Sequence, residues 1–164
     1  MKMAQLYRDQ FAHYFNTTPS ATNPTWTLEG VGTDSLSMSF NPQVDQYKTI
    51  IQRNASATFK NYQIESSVSN KRLYSDDAIY TFLDDARRNA KAIETQLLEV
   101  DMANAGAGAG TYVAIKYNVL IVINEFLGED ATISYDMYVT GEPVQGLATI
   151  SDGTPSFSPS VSSL

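Results

Sequence analysis

The chain reads as a mainly β protein, a β-sandwich or small barrel with one flanking α-helix. Three observations predict this class. Segments that alternate apolar and polar residues recur along most of the sequence, a single mid-chain stretch carries a convincing helical period, and Gly, Pro, Asn and Asp punctuate the chain at short intervals. At 164 residues the chain fits one domain, large enough to bury roughly two-thirds of its unfolded surface without staples.

The first segment places Met3, Leu6, Tyr7, Phe11, Tyr14 and Phe15 on one side of a helix, closed by Asn16-Thr17-Thr18-Pro19. Ser20 to Pro24 then reads as a small-residue linker, so residues 1–24 form an N-terminal arm that packs on its own domain or on another copy's. Residues 25–155 form the β domain. Trp26 and Leu28 begin its first strand, and Gly30-Val31-Gly32 turns the chain. That lone Gly-x-Gly lacks a third glycine and a following helix, so it is a turn and not a phosphate cradle. In the next strand Leu36, Met38 and Phe40 face one way and Ser35, Ser37 and Ser39 the other. Asn41-Pro42-Gln43 stops it, since proline lacks an amide donor and restricts its predecessor. The chain returns from Ala55 to Tyr62, which leaves about a dozen residues at a hairpin tip where two to five suffice. Such a tip either closes over a site of its own or reaches a neighbouring subunit.

In the returning strand Ala55, Ala57 and Phe59 share one parity and Tyr62, Ile64 and Val68 the other. A bulge or corner near Lys60 and Asn61 would reconcile them and let one strand serve two sheets. The helix follows, at about residues 76–90. Ser75 or Asp76 caps it, Asp76 and Asp77 suit the positive end of its dipole, and Arg87 and Arg88 suit the other. Ile79, Phe82, Leu83 and Ala86 have the spacing that lays a helix against a sheet. Three alternating strands come next. Leu98, Val100 and Met102 oppose Glu99 and Asp101; Val113, Ile115, Tyr117, Val119, Ile121 and Ile123 oppose Lys116, Asn118 and Asn124; Ile133, Tyr135, Met137 and Val139 oppose Thr132, Ser134 and Asp136. The Ala/Gly tract from Ala103 to Gly110 is a flexible hairpin tip, and Gly128-Glu129-Asp130 turns the second pair. Leu147 to Ile150 makes a last short strand. Asp152-Gly153 turns it toward a Ser/Pro C-terminal tail, residues 156–164, extended unless a partner holds it.

Candidate chemistry is sparse. Cysteine is absent and His13 is the only histidine, which argues against a zinc site, and no serine sits in a nucleophile elbow. Asp76/Asp77 and Asp84/Asp85 do not face one another on a helix and read as a cap and a solvated face. Glu99 and Asp101 point the same way on a strand and would suit a cation or an acid–base pair; strict alternation favours a polar strand face instead. No cofactor and no enzymatic activity are expected. The sequons at Asn16 and Asn54 matter only in a secreted protein. The start of the chain lacks the apolar core of a secretory signal, and no apolar run approaches the ~20 residues of a membrane span, so a soluble protein made in the cytoplasm is expected. A net charge of −7 and a pI near 4.5 argue against wrapping nucleic acid.

The order of these segments resembles the tail tube (major tail) proteins of long-tailed bacteriophages of Gram-positive hosts. The resemblance rests on Gly30-Val31-Gly32-Thr33-Asp34-Ser35-Leu36-Ser37-Met38-Ser39-Phe40-Asn41-Pro42-Gln43, on Asn54-Ala55-Ser56-Ala57-Thr58 and on Tyr62-Gln63. It continues through Tyr80-Thr81-Phe82-Leu83-Asp84-Asp85-Ala86-Arg87, Glu94-Thr95-Gln96-Leu97-Leu98-Glu99-Val100 and Gly153-Thr154-Pro155-Ser156-Phe157. It covers most of the chain from Trp26 onward, whereas the N-terminal arm departs from the family's pattern.

The resemblance implies a tail-tube-like fold with a long hairpin loop and terminal arms. It also implies a virion subunit, assembled in the host cytoplasm, that forms hexameric rings around a continuous inner β-barrel and stacks them into a tube. A tape measure protein occupies the lumen, tail-end proteins adjoin the tube, and DNA leaves the capsid through it without specific binding; no membrane is involved. The family's loop to the adjacent ring maps to Asn41 through Arg53, with Asn41, Pro42 and Gln43 at its start and Tyr47, Ile50 and Ile51 as apolar anchors. Ser35, Ser37, Ser39, Thr58, Glu99, Asp101 and Asn118 are expected to face the lumen, with Lys60 and Lys116 as basic exceptions. A neutral or acidic wall spares DNA adhesive contacts. Two alternatives stay open: the inner tube protein of a contractile tail or injection system, and a carbohydrate-binding β-sandwich whose aromatics form an exposed platform.

Overall fold

The computed structural model describes residue 6 and residues 8–160. After a short 3-10 turn, Arg8–Gln10, come β1 (Phe11–Asn16), β2 (Trp26–Glu29), β3 (Ser37–Ser39), β4 (Pro42–Tyr47), β5 (Ser56–Tyr62) and β6 (Glu65–Arg72). The helix α1 (Ala78–Asn89) follows, then β7 (Ile93–Ala105), β8 (Thr111–Leu127), β9 (Thr132–Ser151) and β10 (Thr154–Pro159). Eight strands form one antiparallel sheet in the order β2-β1-β7-β8-β9-β6-β3, with β10 on β9, while β4 and β5 form a separate two-stranded ribbon. The expected class, mainly β with one helix, is the observed one.

The large sheet is rolled. β2 begins its order and β6 lies next to the other end, yet Lys71 of β6 reaches Glu29 of β2 at 3.1 Å, and the Arg72 amide donates to the Gly32 carbonyl at 2.9 Å. Inside the roll, Phe15, Val68, Leu97, Tyr117, Ile121, Ile133, Tyr135 and Met137 pack with Ile79 and Leu83 of α1. Ala86 is buried and Phe82 is half-buried against the same core. A second cluster of Ala12, Tyr14, Trp26, Leu98, Val100, Ala114 and Ala148 lies on the opposite face, with Phe157 of β10 against it. β1, β7 and β8 are therefore covered on both faces at mid-sheet.

That double burial explains the first correction. The segment expected as a helical arm contains β1, which pairs with β2 from His13↔Glu29 to Asn16↔Trp26 and with β7 from Phe11↔Asp101 to Phe15↔Leu97. Phe15 faces one core and Ala12 and Tyr14 the other, so a strand apolar on both sides satisfied a helical spacing by coincidence; its aromatic content suits a pleated, buried site. Met3 and Tyr7 lie outside the described residues, and Leu6 is exposed. The expected linker is the loop of the β1–β2 hairpin. Asn16 Oδ1 pins it by accepting from the amides of Thr18 at 3.0 Å and Thr25 at 3.3 Å.

β3 pairs with β6, not with the strand returning at residue 55. The stretch expected as a loop after Asn41 contains β4, whose Pro42 sits at the first position, where a missing amide costs no ladder bond. The bulge expected near Lys60 and Asn61 is present: Gln43 pairs with Asn61 and Val44 with Phe59, leaving Lys60 as the extra residue. Beyond it the chain passes from ribbon to main sheet. The helix cap is Asp77, not Ser75 or Asp76; Asp77 Oδ1 accepts from the Ile79 amide at 2.9 Å. The short strand at Leu147 is the end of β9, and Ser156–Pro159 of the expected tail belongs to β10, paired antiparallel with β9. Residues 161–164 lie outside the described residues.

Candidate assembly surfaces

The ribbon of β4 and β5 stands apart from the main sheet, and a two-stranded ribbon is marginal by itself. Its base is buttressed. Asn41 Nδ2 donates to the Gln63 carbonyl at 3.1 Å and to Glu65 Oε1 at 2.8 Å, and Gln43 Nε2 donates to the Asn41 carbonyl at 3.2 Å. Tyr62 stacks edge-on with Phe40 at 5.7 Å and packs on Phe59 at 4.8 Å between centroids. Asn41, Pro42 and Gln43 thus belong to the base. Tyr47 and Arg53 are exposed toward the tip, where a turn closed by the Gln52 amide on the Thr49 carbonyl at 3.0 Å leaves Ile50 fully exposed and Ile51 93% exposed.

Beneath the N-terminus of α1 lies a buried polar cluster that the sequence reading did not identify. Lys71 is fully buried. Its Nζ lies 3.1 Å from Glu29 Oε1 and 3.2 Å from Asp77 Oδ2, and it donates to the Val31 carbonyl at 2.5 Å and to Thr33 Oγ1 at 3.4 Å. The Thr33 hydroxyl also donates to Glu29 Oε1. Burial raises the Glu29 pKa against the opposing pull of Lys71 and Thr33. Burial, with Glu29 and Asp77 nearby, keeps the Tyr135 phenol protonated well above its ordinary range. One ammonium thus ties together β2, the turn after it, β6 and the helix cap. Local sequence carried no signal for this, because β6 shifts register between Val68 and Lys71 and turns a formally outward lysine inward.

Glu99 and Asp101 do not work as a pair. Glu99 Oε2 lies 3.2 Å from His13 Nε2. Asp101 instead accepts from the Ala103 amide at 3.0 Å and from Asn104 Nδ2 at 2.5 Å. Among the described residues no group of three or more His, Asp or Glu is placed to hold a metal ion, and no helix is long and apolar enough to cross a membrane. Asp84, expected on a solvated helix face, is buried; hydrogen bonds from Arg87 above all, and from Arg88, lower its pKa against the cost of burial.

The expected lumen-facing set does not share a face. Met38 pairs with Ser66 and Ser66 with Met137 of the inner core, so Ser37 and Ser39 point to the outside of the roll. Asn118 lies between the core residues Tyr117 and Val119 in sequence and so points outward as well. Glu99, by contrast, pairs with Ile115 and shares the inner face with Leu97, and Asp101 follows it. The two groups therefore lie on opposite faces of the sheet. Thr58 sits on the ribbon and Ser35 precedes β3; both are exposed.

Two clefts among the described residues bear on assembly. One, of about 960 Å³, is lined by Phe11, Leu28, Leu36, Met38 and Met102 with Asp9 and Glu99 among its polar groups. The other, of about 880 Å³, lies at the ribbon base and includes Phe40, Phe59, Tyr62 and Tyr138. The paired rings of that second cleft meet edge-on or tilted and so do not form a flat stacking platform.

No protein-family model matches the chain, and no curated protein sequence matches it. Among solved structures it is similar to a chain in the cryo-EM structure of the anti-feeding prophage (AFP) baseplate, six-fold symmetrised. The TM-score is 0.50 at 10% identity, over 88% of this chain and 97% of that one. At that identity the likeness shows a shared fold.

Proposed function

We propose that the chain is a structural, non-enzymatic subunit of a phage-type tail tube that assembles into stacked hexameric rings, through whose lumen DNA passes from capsid to host. The observation that carries this reading is the ribbon. A folded monomer gains nothing by holding Ile50 and Ile51 in water, whereas a subunit that must bridge to a neighbour needs such a projection. The similarity of fold to a chain from a six-fold symmetrised baseplate supports the reading independently.

In this reading the face shared by Ser37, Ser39 and Asn118 lines the lumen, with Glu65, Ser67 and Asp136 on the same face; Ser67 is bonded to Asp136 at 2.6 Å. Such a wall is polar, with Glu65 and Asp136 acidic and Lys116 a basic exception, and would hold phosphate weakly. Tape measure and tail-end proteins are the expected partners. The neighbour's place in a prophage baseplate favours a second reading, the inner tube of an injection-type tail, which differs in needing an outer face that grips a sheath.

Negative-stain electron microscopy of the purified chain, with mass photometry, tests the proposal. Rings or hollow tubes are expected, and deletion of residues 43–52 should abolish stacking without unfolding the domain. A monomer at high concentration that binds glycans on an array would overturn it in favour of a carbohydrate-binding module.

A further inference from the structure

We propose that the ribbon tip docks in the cleft of about 960 Å³ on a second copy of this chain, with Ile50 and Ile51 seated on its apolar lining. The proposal rests on the tube reading for the presence of a second copy and goes beyond it by naming the receiving surface.

Three features carry it. The tip is both apolar and basic: Lys48 and Arg53 flank the two isoleucines, and no acidic residue lies between Tyr47 and Ser56, in a chain of net charge −7. Lys60, further down the ribbon, is already paired with Asp45 at 2.7 Å. The cleft has the complementary character, with Phe11, Leu28, Leu36 and Met38 in its lining beside the carboxylate of Asp9; its second carboxylate, Glu99, is shared with His13 at 3.2 Å. Arg8, also in the lining, keeps its charge, but hydrogen bonds to the carbonyls of Asp34 at 2.5 Å and Thr33 at 3.5 Å fix where its guanidinium lies. Finally, β2 covers β1 only from His13 onward, so among the described residues Phe11 and Ala12, which line the cleft, have strand pairing on the β7 side alone. An open edge beside an apolar pocket suits an incoming extended segment.

Opposite charge orients the approach and apolar burial holds it. Tip and cleft are different places on one chain, so the contact is heterologous and propagates from copy to copy instead of closing as a two-fold dimer.

Cysteine cross-linking tests this in the full chain, which has no cysteine of its own. Ile51→Cys and Leu28→Cys are placed together; both side chains are exposed, at 93% and 50%, so the fold is undisturbed. After oxidation, a non-reducing gel should show a ladder of dimers, trimers and higher species, at least tenfold stronger than from either single-cysteine chain, and adding Ile50→Asp should remove it. Absence of that ladder overturns the docking, whatever the microscope shows: tubes without the ladder leave the tube reading standing, while a ladder without tubes keeps the docking and sinks the tube. A Leu6→Cys, Leu28→Cys chain that closes within the monomer, while the tip pair stays unreacted, would give the cleft to the chain's own N-terminal segment and also overturn the proposal.

Discussion

Lys71 Nζ of β6 lies 3.1 Å from Glu29 Oε1 of β2, across the roll between the strand that begins the sheet order and the strand next to its other end. Both side chains are almost wholly buried, and Asp77 adds a second carboxylate at 3.2 Å. An ammonium in such a place costs much desolvation, offset only because four oxygens surround it. Its role is geometric: it fixes where the sheet closes and where the helix begins.

Replacing Lys71 with Met should therefore destabilise the domain by about 3–5 kcal/mol, the usual loss when one partner of a buried ion pair is removed. Urea unfolding followed by circular dichroism reads this. Adding Glu29→Gln and Asp77→Asn to Lys71→Met should recover part of the loss; no recovery would mean that the cluster contributes through packing alone.

The closure also depends on Gly32, whose φ of +73° is left-handed and whose absent Cβ would stand 2.3 Å from the Arg72 carbonyl oxygen. Gly32→Ala should cost more than the roughly 1–2 kcal/mol of a left-handed alanine. Gly153 is the control, with a similar φ of +77° and nothing within 4 Å. A lower melting temperature for Gly32→Ala than for Gly153→Ala is the expected result.

Ile50→Ser with Ile51→Ser should leave stability within about 0.5 kcal/mol, as surface changes do, because the tip makes no contact with either core. Assembly should nonetheless be lost by electron microscopy. A large fall in melting temperature would show that the ribbon supports the monomer, against the separate-sheet geometry.

Tyr117 gives a pH test. Burial, with Glu99 as a second cause, pushes its pKa up to about 12 from 10.0. A raised folded-state value means that the neutral form is the native one, so stability is complete below about pH 10 and is lost as pH rises toward 12. Tyr117→Phe should lose less stability over that interval, measured by fluorescence-detected urea titrations at stepped pH.

Asp84 works in the opposite sense. Its lowered pKa, caused first by the Arg87 hydrogen bond, stabilises the fold above the ordinary value of 3.8 and is lost as pH falls below it. Asp84→Asn should weaken the helix by about 0.5–1 kcal/mol at neutral pH, since its arginine partners are partly exposed, and should flatten the acid limb of the stability curve.

Much of the layout was legible in local order. The period of two marked the long strands β7, β8 and β9, the helical spacing of Ile79 and Leu83 marked α1, and the parity break at Lys60 marked the bulge where ribbon becomes sheet. Those features depend on neighbours within a few residues, which is the range over which periodicity and turn chemistry act.

What the tertiary structure alone decided is where long-range pairing put both sides of a strand. β1 looked helical because its two faces enter two different cores, and no local period distinguishes that from an amphipathic helix. Glu99 and Asn118 looked alike as polar strand residues, yet the pairing register sends one into the roll and the other out. Lys71 looked like a surface lysine until a register shift turned it toward Glu29, forty-two residues earlier in the chain. The sequence by itself determined the long strands β7 to β9, the helix and the bulge at Lys60; the strand character of β1 and β4, the rolled sheet, its buried ammonium and its open cleft came from contacts between segments distant in sequence, whose energies no local pattern records.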